Sequence, residues 1–178
     1  MFWISCRRVW SAIALAVIAA VGLAGCGRRS AAPEAAPKTV ADWFPIAVGA
    51  RTVRMQLAIL PAEQTQGLMG RAELGADDGM LFVYAAPTQM SFWMRNTPRP
   101  LDIGFFDSEG VLREVYPLRP FDETPVRSID PRLKYALEMN QGWYAGNGVR
   151  TGARLDLRAL GAALEARGMS PGDFGLVR

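Results

Sequence analysis

The chain has 178 residues, 50% of them hydrophobic and 21% charged, with 20 Lys plus Arg against 17 Asp plus Glu. That much apolar material excludes a disordered chain and bounds the protein to about one domain. Two Cys and no His exclude Ser-His-Asp and Cys-His catalysis, His general-base chemistry and His-ligated zinc.

The N-terminus reads as an export signal over residues 1–25. Arg7 and Arg8 form a positive n-region, and residues 12–24 form an uninterrupted apolar run. A membrane span takes roughly 20 apolar residues, so the run is short for a permanent helix. It ends in Leu23-Ala24-Gly25-Cys26, which resembles the lipobox of bacterial lipoproteins. Lipidation of Cys26 would anchor the protein in a membrane, and Gly27 after it favours the outer membrane over the inner. The expected location is therefore a periplasm-facing lipoprotein. Cys6 and two arginines leave with the signal, so the exported domain has no free thiol and a nearly balanced charge. A balanced charge argues against nucleic-acid binding. Residues 26–42 are the lipidated Cys and an Ala/Pro-rich tether. Its stretch from Gly27 to Lys38 extends roughly 35–40 Å.

Residues 43–160 read as a single β-rich domain, and residues 161–178 as a C-terminal helix and frayed tail. Residues 51–60 alternate, with Val53, Met55, Leu57 and Ile59 on one face, which predicts a half-buried strand. Residues 61–66 predict a short helix, with Pro61 in its first turn and Gly67 stopping it. Strands are predicted over 79–84, 90–95, 101–107, 111–118, 134–140 and 154–160. Ser108-Glu109-Gly110 makes a hairpin turn, 121–131 a long polar loop and 142–148 a short helical connection. About seven short, mostly hairpin-linked strands predict a mainly β (α+β) fold, a closed or nearly closed antiparallel barrel with two or three short helices. No βαβ spacing is read, which argues against a doubly wound nucleotide fold.

The densest chemistry lies in residues 90–102. Met90, Phe92 and Met94 point one way, towards core, and Ser91, Trp93 and Arg95 the other. Trp93 beside Arg95 suits a planar or anionic ligand, with Asn96 and Thr97 supplying amide and hydroxyl groups at a strand end. The bland alternative is a rim tryptophan and a turn. Asp102, in an apolar strand, is either ion-paired (to Arg71, Arg95 or Arg127) or ligand-facing. Glu138 reads as part of a solvated face with Lys134 and Asn140. Next to Asp102 it would complete a two-carboxylate site. Ser128 sits in the long loop, where a Ser-Lys dyad with Lys134 is a minor alternative. Met69, Met80, Met90, Met94 and Met139 sit among apolar residues and read as core packing rather than a copper site. No metal or cofactor is expected.

Four blocks carry a resemblance. They are Gln66-Gly67-Leu68-Met69-x-Arg71, Asp78-Gly79-Met80-Leu81-Phe82-Val83, Phe92-Trp93-Met94-Arg95-Asn96-Thr97-x-x-Pro100-Leu101-Asp102-Ile103 and Leu137-Glu138-x-x-x-Gly142. From about Val53 to Leu157 the chain resembles the family called domain of unknown function 192. The family usually closes on Gly-Asp, where this chain has Gly152-Ala153. The resemblance implies a compact β-rich domain and supplies no activity. It implies one shared site made from Arg71, Trp93, Asn96, Thr97, Asp102 and Glu138, to which we add Ser128. The expected function is a lipid-tethered envelope domain binding a small polar, anionic or glycan-like ligand, with Arg71 and Arg95 holding the anion. The alternatives are a hydrolase using Asp102 and Glu138 on envelope saccharides, and a non-enzymatic factor docking on an envelope protein.

Overall fold

The computed structural model describes residues 36–176, so the signal segment and Cys26 lie outside the described residues. Eight strands form: β1 (Phe44–Val48), β2 (Arg51–Ala58), β3 (Asp78–Thr88), β4 (Ser91–Phe92), β5 (Leu101–Asp107), β6 (Leu112–Leu118), β7 (Val126–Arg127) and β8 (Leu133–Asn140). Among the described residues three α-helices accompany them: α1 (Pro61–Gln66), α2 (Trp143–Gly146) and α3 (Leu157–Ala166).

Six strands form one sheet in the order β1-β2-β3-β8-β5-β6, and β4 pairs with β7 in a separate two-stranded ribbon. The fold is thus mainly β with few helices. The sheet is open, with β1 and β6 at its edges, and among the described residues no sheet closes into a barrel. One pairing explains why. β2 and β3 are parallel, joined by a crossover that contains α1. A parallel pair cannot be joined by a tight turn, so a β-α-β unit stands where hairpins were expected. The short helix hides this unit from a spacing argument.

Both faces of the sheet are covered, which a half-buried barrel wall would not require. Val53, Met55, Leu57, Leu81, Leu137 and Met139 face one core, shared with α2 and α3. Met80, Phe82, Leu101, Ile103, Phe105 and Ala136 face a second core, closed by Leu68, Met90, Phe92 and Met94. Each large apolar side chain buried this way contributes roughly 1.5–3 kcal/mol. The period-two alternation of β3 and β5 divides the two cores.

Several sequence expectations need correction. The strand expected over 154–160 is only two isolated bridges, Arg154 to Val111 and Leu155 to Val48, after which α3 begins. Asp156 caps α3, accepting hydrogen bonds from the N–H groups of Arg158 and Ala159. An Asp before Leu157, Leu160 and Leu164 is a helix-start signal, and it outweighs the apolar run. The C-terminal tail is not frayed: a 3-10 turn (Pro171–Phe174) buries Phe174, and Leu176 is also buried. The strand at 90–95 shrinks to two paired residues, because its partner β7 is equally short. Residues 38–42, read as tether, bond to the domain through Lys38 N–H to the Ala166 carbonyl and Gln56 Nε2 to the Ala41 carbonyl.

Candidate functional site

On the second-core face, the chain leaves β2 through α1 and turns back at Gly67. Gly67 has φ 45° and ψ −132°, a conformation that a side chain resists, and a Cβ there would press on the Phe82 ring at 3.3 Å. The turn from Gln64 to Met69 therefore stands off the sheet and walls a cavity of about 350 Å³. Trp93 and Thr97 line the opposite side, and Glu138 with Phe82 and Tyr84 lines the sheet side.

Glu138 is the unusual member. Register places it on β8 opposite Met80 of β3 and Ile103 of β5, so its side chain shares the face of two apolar neighbours. It is 4% exposed, and its carboxyl has no hydrogen-bond or ion-pair partner among the described residues. Burial pushes its pKa up to about 8. The nearby Tyr84 hydroxyl is also raised, first by burial and then by the Glu138 charge. The solvated face expected for Glu138 is therefore wrong: loops from α1 and β4 cover it, and no local pattern announces such a cover.

The structure brings together three of the sequence-predicted residues, Trp93, Thr97 and Glu138. The others go elsewhere. Asp102 lies opposite Met139 on the first-core face, while Glu138 lies opposite Ile103 on the second. The two carboxyl groups are on opposite sides of the sheet, so the two-carboxylate site does not form. Asp102 instead accepts a hydrogen bond of 2.7 Å from Gly142 N–H, at the left-handed turn before α2. Burial raises its pKa and that hydrogen bond opposes the rise. It forms no ion pair with Arg71, Arg95 or Arg127. We expect Asp102→Ala to cost about 1–3 kcal/mol by leaving that N–H unpaired. Chemical denaturation reads the cost, and ligand binding in the cavity should not change.

Ser128 is 1% exposed and its Oγ is committed, accepting from Met90 N–H and donating to the Asp130 carbonyl. Lys134 Nζ donates to the Phe174 carbonyl, so neither residue is free for the dyad. Arg71 borders a second, smaller cavity of about 220 Å³, donates to Gln56 Oε1 at 2.7 Å and stacks on Trp43. Arg95 is exposed and rests over the Trp93 ring at 5.8 Å. Asn96 takes a left-handed φ of 53° and its carbonyl accepts from Gly70 N–H. It does not line the cavity. Tyr84, Gln64 and Gln66 line the cavity and were missed. Tyr84 follows Met80 and Phe82 at period two, but only strand pairing reveals that this face meets Glu138.

Residues 45–157 match a family model, domain of unknown function 192, described as "Uncharacterized ACR". No curated protein matches. Two solved structures are similar over most of the domain. One is a protein of unknown function from Novosphingobium aromaticivorans DSM 12444, 37% identical with a TM-score of 0.60, covering 64% of this chain and 84% of that one. The other, a "putative transcription regulator" from Sinorhizobium meliloti 1021, is 31% identical with a TM-score of 0.62, covering 68% of this chain and 95% of that one.

Proposed function

We propose, for a chain that belongs to the uncharacterised family domain of unknown function 192, that this domain is a small-ligand-binding module of the cell envelope. The observation that carries the reading is the buried, unpartnered Glu138 carboxyl on the floor of an open cavity with Trp93 in its wall. The Glu138 oxygens are not sealed from the cavity, so a ligand there can reach them, and a carboxyl held in low dielectric interacts strongly with a partner. An aromatic wall supplies apolar area beside it. The ligand is small, polar and not anionic, because Arg71 and Arg95 do not line the cavity. Trp93 stacks on it, and Glu138 and Thr97 orient it.

Export and a lipid on Cys26 would present this cavity to the periplasm from a membrane surface, with the outer membrane favoured. Nucleic acid is not the proposed partner. The nearly balanced charge of 20 Lys plus Arg against 17 Asp plus Glu gives no strong electrostatic drive towards phosphates.

The test is a panel of small neutral saccharides and small amines, titrated into the domain by calorimetry. We expect saturable binding in the wild type and roughly tenfold weaker binding in Trp93→Ala, from the lost ring contact. Indifference of every panel member to Trp93→Ala and Glu138→Gln alike would reject the site.

A further inference from the structure

The identity of the ligand can be taken further, and this step rests on the reading of the cavity above. Four aromatic side chains line it together: Phe82 and Tyr84 from β3, Phe92 from β4, and Trp93 after it. A single carboxyl, Glu138, stands among them, and no Lys or Arg lines the same cavity. Aromatic faces carry negative quadrupole charge and attract cations, most strongly when the cation is desolvated. Trp93 already holds the Arg95 guanidinium over its ring on the exposed side. A cavity with aromatic walls, one acid and no competing base is complementary to a positive charge.

We propose that the cavity binds an organic ammonium ion, its charge paired with the Glu138 carboxylate and its alkyl groups held against Trp93 and Tyr84. A neutral ligand would gain only the walls. An anion would keep Glu138 protonated and gain no ion pair, since no Lys or Arg lines the cavity.

The proposal sets a proton linkage. The groups packed on Glu138 are Met80 and Tyr84 of β3, Ile103 of β5, Gln64 and Gln66 of α1, and Trp93 and Thr97 from the loop after β4. Tyr84 is the one that titrates, and its pKa is raised, so it stays neutral. Tyr144, on the other side of the sheet, also feels the Glu138 charge and stays neutral. Arg95, on the Trp93 ring, is solvent-exposed and screened, and Arg71, beside the smaller cavity, is engaged by Gln56 and Trp43. Without ligand Glu138 is therefore protonated at neutral pH, and ammonium binding must expel that proton. Below the pKa of about 8, affinity rises with pH and then levels off above it.

The experiment uses choline, whose charge does not titrate, and its neutral isostere 3,3-dimethylbutan-1-ol, with butylammonium as a primary amine. Binding to the domain is followed by the Trp93 indole resonance across a pH series. For the two cations the expected affinity gain is about tenfold per pH unit below the Glu138 pKa. The neutral isostere should bind more weakly, with no such slope. Glu138→Gln should flatten the slope and weaken cation binding at least tenfold at alkaline pH, while its folded spectrum is retained. Equal affinity for choline and its isostere, or a flat pH profile in the wild type, overturns the proposal. Saccharides that bind where ammonium ions do not would overturn it and leave the cavity reading standing. If nothing on either panel binds, both fall.

Discussion

Glu138→Gln is expected to stabilise the protein at pH 8 and to lose that advantage below about pH 4.5. Burial raises the folded-state pKa from 4.5 to about 8. Between those values the unfolded chain has released the proton while the folded chain keeps it. The folded state then binds more protons, so stability falls as pH rises, by up to about 1.4 kcal/mol per pH unit. The amide has nearly the same shape and no charge to desolvate, so the variant escapes this slope. The difference between the two proteins grows from near zero at acid pH to on the order of 4 kcal/mol at pH 8, where it levels off. Urea midpoints for both proteins across this range measure it. Parallel curves would show that the carboxyl is not held protonated by the fold. A gain in stability on removing a native charge is also the mark of a site that keeps the charge for its ligand.

The second large effect is expected at Arg167, which no sequence pattern singles out. Its side chain is 4% exposed, donates from Nη1 to the Leu57 carbonyl at 2.7 Å and from Nη2 to Glu63 Oε1. The other Glu63 oxygen accepts from the N–H groups of Ile59 and Leu60, ahead of the first turn of α1. Burial alone would raise the Glu63 pKa, but the Leu60 and Ile59 N–H groups and then Arg167 outweigh it and hold it below its ordinary value. Arg167 thus ties the end of α3 to β2 and to the helix that walls the cavity. Arg167→Ala leaves Glu63 Oε1 and the Leu57 carbonyl without their donor, while the other Glu63 oxygen keeps the Ile59 and Leu60 N–H groups, and this costs about 2–4 kcal/mol. Thermal and urea unfolding measure the loss. Arg167→Lys should recover only part of it, because one ammonium cannot span both acceptors. The Glu63 share of the stability is present at neutral pH and is lost as pH falls through its lowered pKa.

Much of the local structure was legible. The strand at Arg51–Ala58, the helix at Pro61–Gln66 and the strand Leu101–Asp107 form where their patterns require, although β2 is buried on both faces from Met55 onward and not on one alone. The split of Met90, Phe92 and Met94 from Trp93 and Arg95 is likewise local, since it follows from side-chain alternation alone. Trp93, Thr97 and Glu138 could be picked out by residue type, as aromatic and polar groups among apolar neighbours. Asp102 was picked out by the same reasoning and serves a different end. A carboxyl in an apolar strand must find a partner, and the chain offers Gly142 N–H, which no side-chain inventory contains.

What the sequence by itself determined is the set of elements and the resemblance to its family, because both rest on short-range pattern. Which face of β5 and β8 looks into the cavity was decided by register between strands far apart in the chain. A shift of one residue exchanges the two faces, so the pairing of Glu138 with Ile103, and of Asp102 with Met139, separates two carboxyls that look interchangeable in the sequence. The openness of the sheet was likewise a tertiary outcome. The parallel β2–β3 pair forms only when α1 crosses over the second core. That crossover also buries Glu138 beneath the turn at Gly67, and so creates the cavity in which its charge matters.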